Sequence, residues 1–256
     1  MFSFSFAQKN AYIQKVSTNE GGILTKKKTN NQIVENRSLI DCIFESDFED
    51  SGTWVTEVDD PTMSPMWEIC ETPYELQCEG LYPIETINSA NGYYAMVDSD
   101  EFGGETGTEG IENSWLTMAN PIDLSDHPNV ILEFDTHYRA WQDEKCFVVV
   151  STDADIFGFP YVDPYSMENP AEGIYEVFPT FDINETSENP TTIRINISEA
   201  AGGHEQVWIR FHWTGSWGYA WFIDRVCVAQ QPNDDVELVY GVVSHNGTDQ
   251  EYGRVP

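Results

Sequence analysis

The sequence predicts an all-β protein, a two-sheet β-sandwich with long loops. Three observations predict it. Apolar residues recur with a period of two: Val130, Leu132, Phe134, Thr136 and Tyr138 form one series, against Ile131, Glu133, Asp135 and His137, the mark of a strand whose two faces differ. Glycine, proline and Asn/Asp clusters bound these short runs, as turn chemistry between strands requires. No stretch carries the 3.6-residue repeat of a convincing amphipathic helix.

The elements follow in order. Residues 1–8, MFSFSFAQ, read as the remnant of a secretory signal, with an apolar run and a cleavage-type Ala7-Gln8 but no basic start. Residues 9–38 are polar, with Gly21-Gly22, Lys26-Lys27-Lys28 and Asn30-Asn31, a composition expected of a linker or tail. The domain is expected over 39–230. It opens with a strand at Leu39–Phe44, broken at Gly52 and resumed at Trp54-Val55. Residues 56–92 contain Pro61, Pro65, Pro73 and Pro83 and read as a long irregular excursion, since proline removes a ladder donor. Further strands are expected at Gly92–Val97, Ser114–Ala119, Asn129–Tyr138, Cys146–Val150 and Thr191–Ile197, with a loop over 153–190.

The last segment, WIRFHWTGSWGYAWFIDRVCV over Trp208–Val228, organises the rest. It reads as two strands joined by a turn rich in glycine and aromatic residues. The pattern places Phe134, Val148, Val150, Phe211, Ile223 and Val226 in the core. Asp224 and Arg225 interrupt an apolar strand, and a buried carboxylate there needs a cation or hydrogen-bond donors. Residues 231–256 read as a linker followed by the first strand of another β module.

The chain has 256 residues, 40% hydrophobic and 13% aromatic, so it can build a sizeable core. It carries 44 acidic against 12 basic side chains, a formal net charge of −32. Such a surface repels nucleic acid and anionic membranes and attracts cations. No apolar run is long enough to span a bilayer. Cys42, Cys70, Cys78, Cys146 and Cys227 form no C-x-x-C pair, so neither a zinc ribbon nor a thioredoxin site is indicated. Cys70 and Cys78 are spaced to close a local loop, and Cys42 and Cys227 lie on the strands read as first and last; spacing leaves the pairing open.

Catalytic motifs fail on inspection. His204-Glu205 begins a zincin-like motif, but Trp208 stands where the second histidine belongs. Thr214-Gly-Ser-Trp-Gly218 approaches a nucleophile elbow, but Thr214 replaces the first glycine. His137 and His212 read as ordinary strand-face residues. The chain is therefore expected not to be an enzyme.

A calcium site has more support. Calcium takes six to eight oxygens, often from clustered carboxylates. Asp98 and Asp100 alternate at the end of a buried strand, and with Gly103 and Glu109 they match four positions of an EF-hand loop; Phe102 and the lack of flanking helices argue against a true EF-hand. If first and last strands lie side by side, Glu49 and Asp224 complete a structural Ca2+ site with Asp98 and Asp100. Trp213, Trp217, Tyr219 and Trp221 could form a sugar-stacking platform, but aromatics at this alternating spacing read first as core. Trp217 and Tyr219, in the turn, are the candidates for ligand binding.

The blocks FESDFEDSGTW, GYYAMVDSDEFGG, NSWLTMANPIDLSDHPNVILEFDTHYR, FVVVSTD and WIRFHWTGSWGYAWFIDRVCV, in this order over residues 41–230, resemble the MAM-like jelly-roll modules of secreted Bacteroidetes surface proteins, of the cleaved-adhesin and choice-of-anchor type. One departure is the long insert opened by Thr152–Pro160, where the family runs into a tight turn. The resemblance implies an antiparallel jelly-roll β-sandwich, export to the medium or the cell surface, and a role in adhesion or ligand binding. The ligand is expected to be an extracellular protein or glycan. The alternative is a carbohydrate-binding accessory module of a secreted peptidase or glycoside hydrolase.

Overall fold

The computed structural model describes residues 13–16, 41–58, 67–72, 86–99, 112–141, 144–153, 158–162, 171–215 and 218–231. Their strands are β1 (Ile13–Val16), β2 (Cys42–Ser46), β3 (Trp54–Val58), β4 (Trp67–Glu71), β5 (Tyr93–Asp98), β6 (Glu112–Met118), β7 (Val130–Tyr138), β8 (Lys145–Ser151), β9 (Ile174–Glu176), β10 (Thr191–Asn196), β11 (Trp208–Gly215) and β12 (Ala220–Gln230). A single turn of helix, α1 (Ser198–Ala201), follows β10.

Two antiparallel sheets face each other as a jelly-roll sandwich. The first runs β1-β10-β7-β12-β5-β4, with β2 also paired to β12; the second runs β3-β6-β11-β8-β9. The last strand organises the first sheet. Along one side β12 pairs with β7; along the other, Ala220–Ile223 pairs with β5 and Val226–Ala229 with β2. The register against β7 slips between Asp224 and Cys227, and Arg225 sits there at φ +51°. This is a β-bulge, which re-aims a side chain at the cost of one unpaired residue.

The core lies between the sheets. Phe211 on β11 is its hub: its ring centroid lies 5.1 Å from Phe134, 5.6 Å from Trp54, 5.9 Å from Trp221 and 6.5 Å from Trp67. The three indoles around Phe211 each bury a polar atom and satisfy it, Trp54 Nε1 by donating to Ser46 Oγ at 2.9 Å. Trp67 Nε1 donates to the Ser114 carbonyl at 3.1 Å, and Trp221 Nε1 to Thr136 Oγ1 at 2.8 Å. Phe134, Val148, Val150, Phe211, Ile223 and Val226 are all buried in this cluster, as their alternation requires.

Three strands lie in stretches read from sequence as irregular. β4 falls inside the proline-rich excursion; its prolines flank the strand, and the strand is an edge, where a neighbouring proline removes no ladder bond. β9, only three residues long, falls inside the 153–190 loop. β1 comes from the polar tail and pairs with β10. Residues 232–256, read as a linker and the start of another module, lie outside the described residues.

A disulfide joins Cys42 on β2 to Cys227 on β12, with Cα atoms 5.6 Å apart and a sequence separation of 185. Cys146 is a buried thiol in the core, and burial raises its pKa. Cys78, considered as a partner for Cys70, lies outside the described residues.

Candidate functional site

The turn between β11 and β12 is held from below by a buried acid. Glu112, 4% exposed, accepts from Ser99 Oγ at 2.6 Å and from Trp213 Nε1 at 3.2 Å. Ser99 Oγ in turn accepts from the Gly218 amide at 2.9 Å. A Cβ on Gly215 would stand 2.4 Å from Glu144 Cβ, which explains the glycine at that close approach. Glu144 also accepts from the Trp141 amide.

Above this support, Tyr219 is sandwiched. The Arg139 guanidinium lies 4.4 Å from its ring centroid, and Trp141 meets it edge-on at 5.1 Å and 84°. Tyr219 is 6% exposed. This corrects the expectation of an exposed ring at that position: the face of Tyr219 is already occupied by protein. Trp217 lies outside the described residues. The partly exposed ring here is Trp141, which the sequence reading passed over; its signal was the HYRAW string that closes β7.

The four-carboxylate calcium site is not assembled as expected. Asp98 ends β5 opposite Ala220, whereas Asp224 lies four residues further along β12, opposite Asp135. At about 3.3 Å per residue that is roughly 13 Å, too far for one ion. Glu49 is exposed and lies over Gly92, just ahead of β5 and at the end away from Asp98. Asp100 lies outside the described residues. Among the described residues no group of three or more histidine, cysteine or acidic side chains is placed to hold a metal.

Asp224 instead has protein partners. It is 2% exposed and accepts from the Arg225 amide at 2.8 Å, with Arg225 Nε 3.8 Å from its other oxygen. The same guanidinium lies 3.4 Å from Asp135 Oδ2 and donates to the Ser89 carbonyl at 2.9 Å. Burial raises the pKa of Asp224, opposed by bonds from Ser89 and Arg225. The bulge therefore supplies, from the next residue, the cation that the buried carboxylate needs.

The outer face of the second sheet carries a second buried polar group. Arg210 Nε donates to Thr117 Oγ1 at 2.9 Å, and Glu57 lies 3.5 Å from its guanidinium. Phe159 covers the guanidinium at 3.7 Å and Trp115 at 5.0 Å. Burial lowers the Arg210 pKa to about 10 against the pull of Glu57. His212, beside Asn113, is lowered to about 3 by burial and by Arg210. It is neutral at physiological pH and packs on the strand face, as does His137 against Phe222.

No protein-family model and no curated protein sequence matches the chain. Among solved structures, the K1 cleaved adhesin domain of Lys-gingipain from Porphyromonas gingivalis is similar over 74% of this chain and 98% of its own, at 14% identity and a TM-score of 0.41. The K3 cleaved adhesin domain of the same protein is similar over 73% and 98%, at 11% identity and 0.39. A family 11 carbohydrate-binding module from Clostridium thermocellum, in complex with a mixed-linked tetrasaccharide, is similar over 72% and 95%, at 12% identity and 0.37. Likenesses at this level carry neither ligand nor role to this chain.

Proposed function

We propose that the chain is a non-catalytic, extracellular adhesion module that binds a protein ligand. One observation carries the choice of protein over glycan. Sugar rings stack on open, roughly coplanar aromatic faces, and among the described residues at the turn Tyr219 is covered and Trp141 meets it at 84°. Export is supported by the Cys42–Cys227 disulfide, because such bonds persist in oxidising compartments. No helix among the described residues is long and apolar enough to cross a membrane. For calcium, the proposal narrows to the Asp98–Asp100 stretch, on the strength of its alternating carboxylates and the burial of Asp98 at 2%.

The glycan-binding alternative, in a module beside a secreted peptidase or glycoside hydrolase, draws on the partly exposed Trp141 next to Arg139. The test is adhesion of protein-coated beads to cell surfaces treated with protease or with periodate. Loss of adhesion after protease, with retention after periodate, supports the protein ligand; the reverse pattern overturns it in favour of the glycan.

A further inference from the structure

A cleft of about 520 Å3 opens beside the edge strands β2 and β3, where the chain leaves β6. This volume is within the range of ligand-binding clefts. Its apolar lining includes Ile43, Phe44, Met118 and Ile122, and Asp50 and Asp123 also line it. Met118 and Ile122 are buried, while both aspartates are exposed.

The aspartates are positioned rather than loose. Asp50 Oδ1 accepts from the Gly52 amide at 2.9 Å, and Asp123 Oδ1 accepts from the Ser125 amide at 3.0 Å and its hydroxyl at 2.6 Å. Each aspartate thus spends one oxygen on its own turn. Its other oxygen makes no hydrogen bond among the described residues, which leaves an acceptor for an incoming group. The Ser125 bonds also lower the Asp123 pKa, so it stays ionised.

We propose that this cleft docks a segment of a partner protein in which an aliphatic side chain is followed by lysine or arginine. The aliphatic group would cover Phe44, Met118 and Ile122, and the basic group would meet Asp50 and Asp123. Charge complementarity selects this occupant. Two ionised carboxylates beside an apolar floor repel an acidic segment and leave a purely apolar one with desolvated charges. The net charge of −32 adds long-range attraction for a basic partner. This inference rests on the protein-ligand reading and names the chemistry of the ligand.

The experiment is fluorescence anisotropy on the full chain with a labelled hexapeptide, Ile-Leu-Thr-Lys-Lys-Lys, against the equally charged Gly-Ser-Thr-Lys-Lys-Lys. The protein variant is Asp50→Asn with Asp123→Asn, which keeps the turn-forming oxygens and removes two charges. The expected result is binding of the first peptide at least tenfold tighter than the second, and at least fivefold weaker binding to the double variant at an unchanged melting temperature. Equal binding of both peptides, or equal binding to the variant, means diffuse attraction to an acidic protein and overturns the proposal. So does full competition by propylamine, which would make the site one for small amines. A severalfold gain in affinity on replacing Lys26, Lys27 and Lys28 by serine would assign the cleft to the chain's own basic tract and likewise overturn a separate partner. If adhesion proves protease-sensitive but unchanged in the double variant, the cleft assignment fails while the adhesion reading stands. If adhesion proves periodate-sensitive while peptide binding persists, the adhesion reading fails and the cleft stands.

Discussion

The buried carboxylate of Asp224 is matched by its own neighbour: Arg225, turned to φ +51° at a bulge, brings Nε to 3.8 Å from Asp224 Oδ2. A guanidinium on the next residue of a regular strand would point to the opposite face of the sheet. The bulge is what makes the pair.

Asp224→Ala is accordingly expected to destabilise the sandwich by about 1–3 kcal/mol, the usual result of leaving buried polar groups unsatisfied. The loss should be the same in calcium and in excess chelator, measured by urea denaturation. A loss seen only in calcium would show that a metal, not Arg225, is the partner. The pH dependence has a definite sign. A folded-state pKa raised above the unfolded value means that the native state holds the proton longer. Its contribution is present below the unfolded value of about 3.9 and is lost as pH rises through the folded pKa. Asp224→Asn lacks that titration, so its stability relative to the parent should improve as pH rises through this range.

Reduction of Cys42–Cys227 should be among the most damaging single changes. The bond closes a separation of 185 residues, for which the chain-entropy model gives about 5 kcal/mol, the top of the usual range. Cys42→Ser combined with Cys227→Ser should lower the denaturation midpoint and abolish the effect of dithiothreitol on it. A midpoint insensitive to reductant in the parent protein would contradict the bridge.

Tyr219 and Trp141 should separate by stability. Tyr219, 6% exposed and covered by Arg139 and Trp141, should lose about 3 kcal/mol on replacement by alanine, as large buried aromatics do. Trp141→Ala should lose clearly less, since its ring is only half-buried. Equal losses, read from paired denaturation curves, would mean that Trp141 is as structural as Tyr219.

His212 should not titrate in the ordinary histidine range. Its pKa is lowered to about 3, so the imidazole resonances should stay constant from neutral pH down to about pH 4, well below the unperturbed value of about 6.5. Because the unfolded chain binds this proton first, His212 draws stability away as pH falls from about 6.5 towards 3. His212→Gln should therefore narrow the gap in stability between neutral and acid pH. An imidazole that titrates near 6.5 in the folded protein would contradict the burial.

Much of the core was legible in local pattern. Phe134, Val148 and Phe211 lie between the sheets because alternation assigns a face to each strand residue wherever one face is buried. β4 and β9 were not legible, since three to five residues among prolines carry too little periodicity to separate an edge strand from a loop. The site was read less well. The calcium reading took the first and last strands of the domain as neighbours, and β2 does pair with β12, but along β12 the register separates Asp224 from Asp98. Tyr219 was read as an exposed residue of the turn, but its exposure depended on Arg139 and Trp141, some eighty residues earlier in the chain.

By itself the sequence determined the class of fold, most of its strands, their buried faces and the acidity of the surface, because these follow from composition and from a repeat of two residues. Only the tertiary structure decided the bulge at Arg225, the partner of Cys42, the covering of Tyr219 and the cleft that brings Phe44 together with Asp123. Each of these depends on strand register and on which loop closes over which sheet. Those are set by the sum of many weak contacts between distant segments, and no local pattern records that sum.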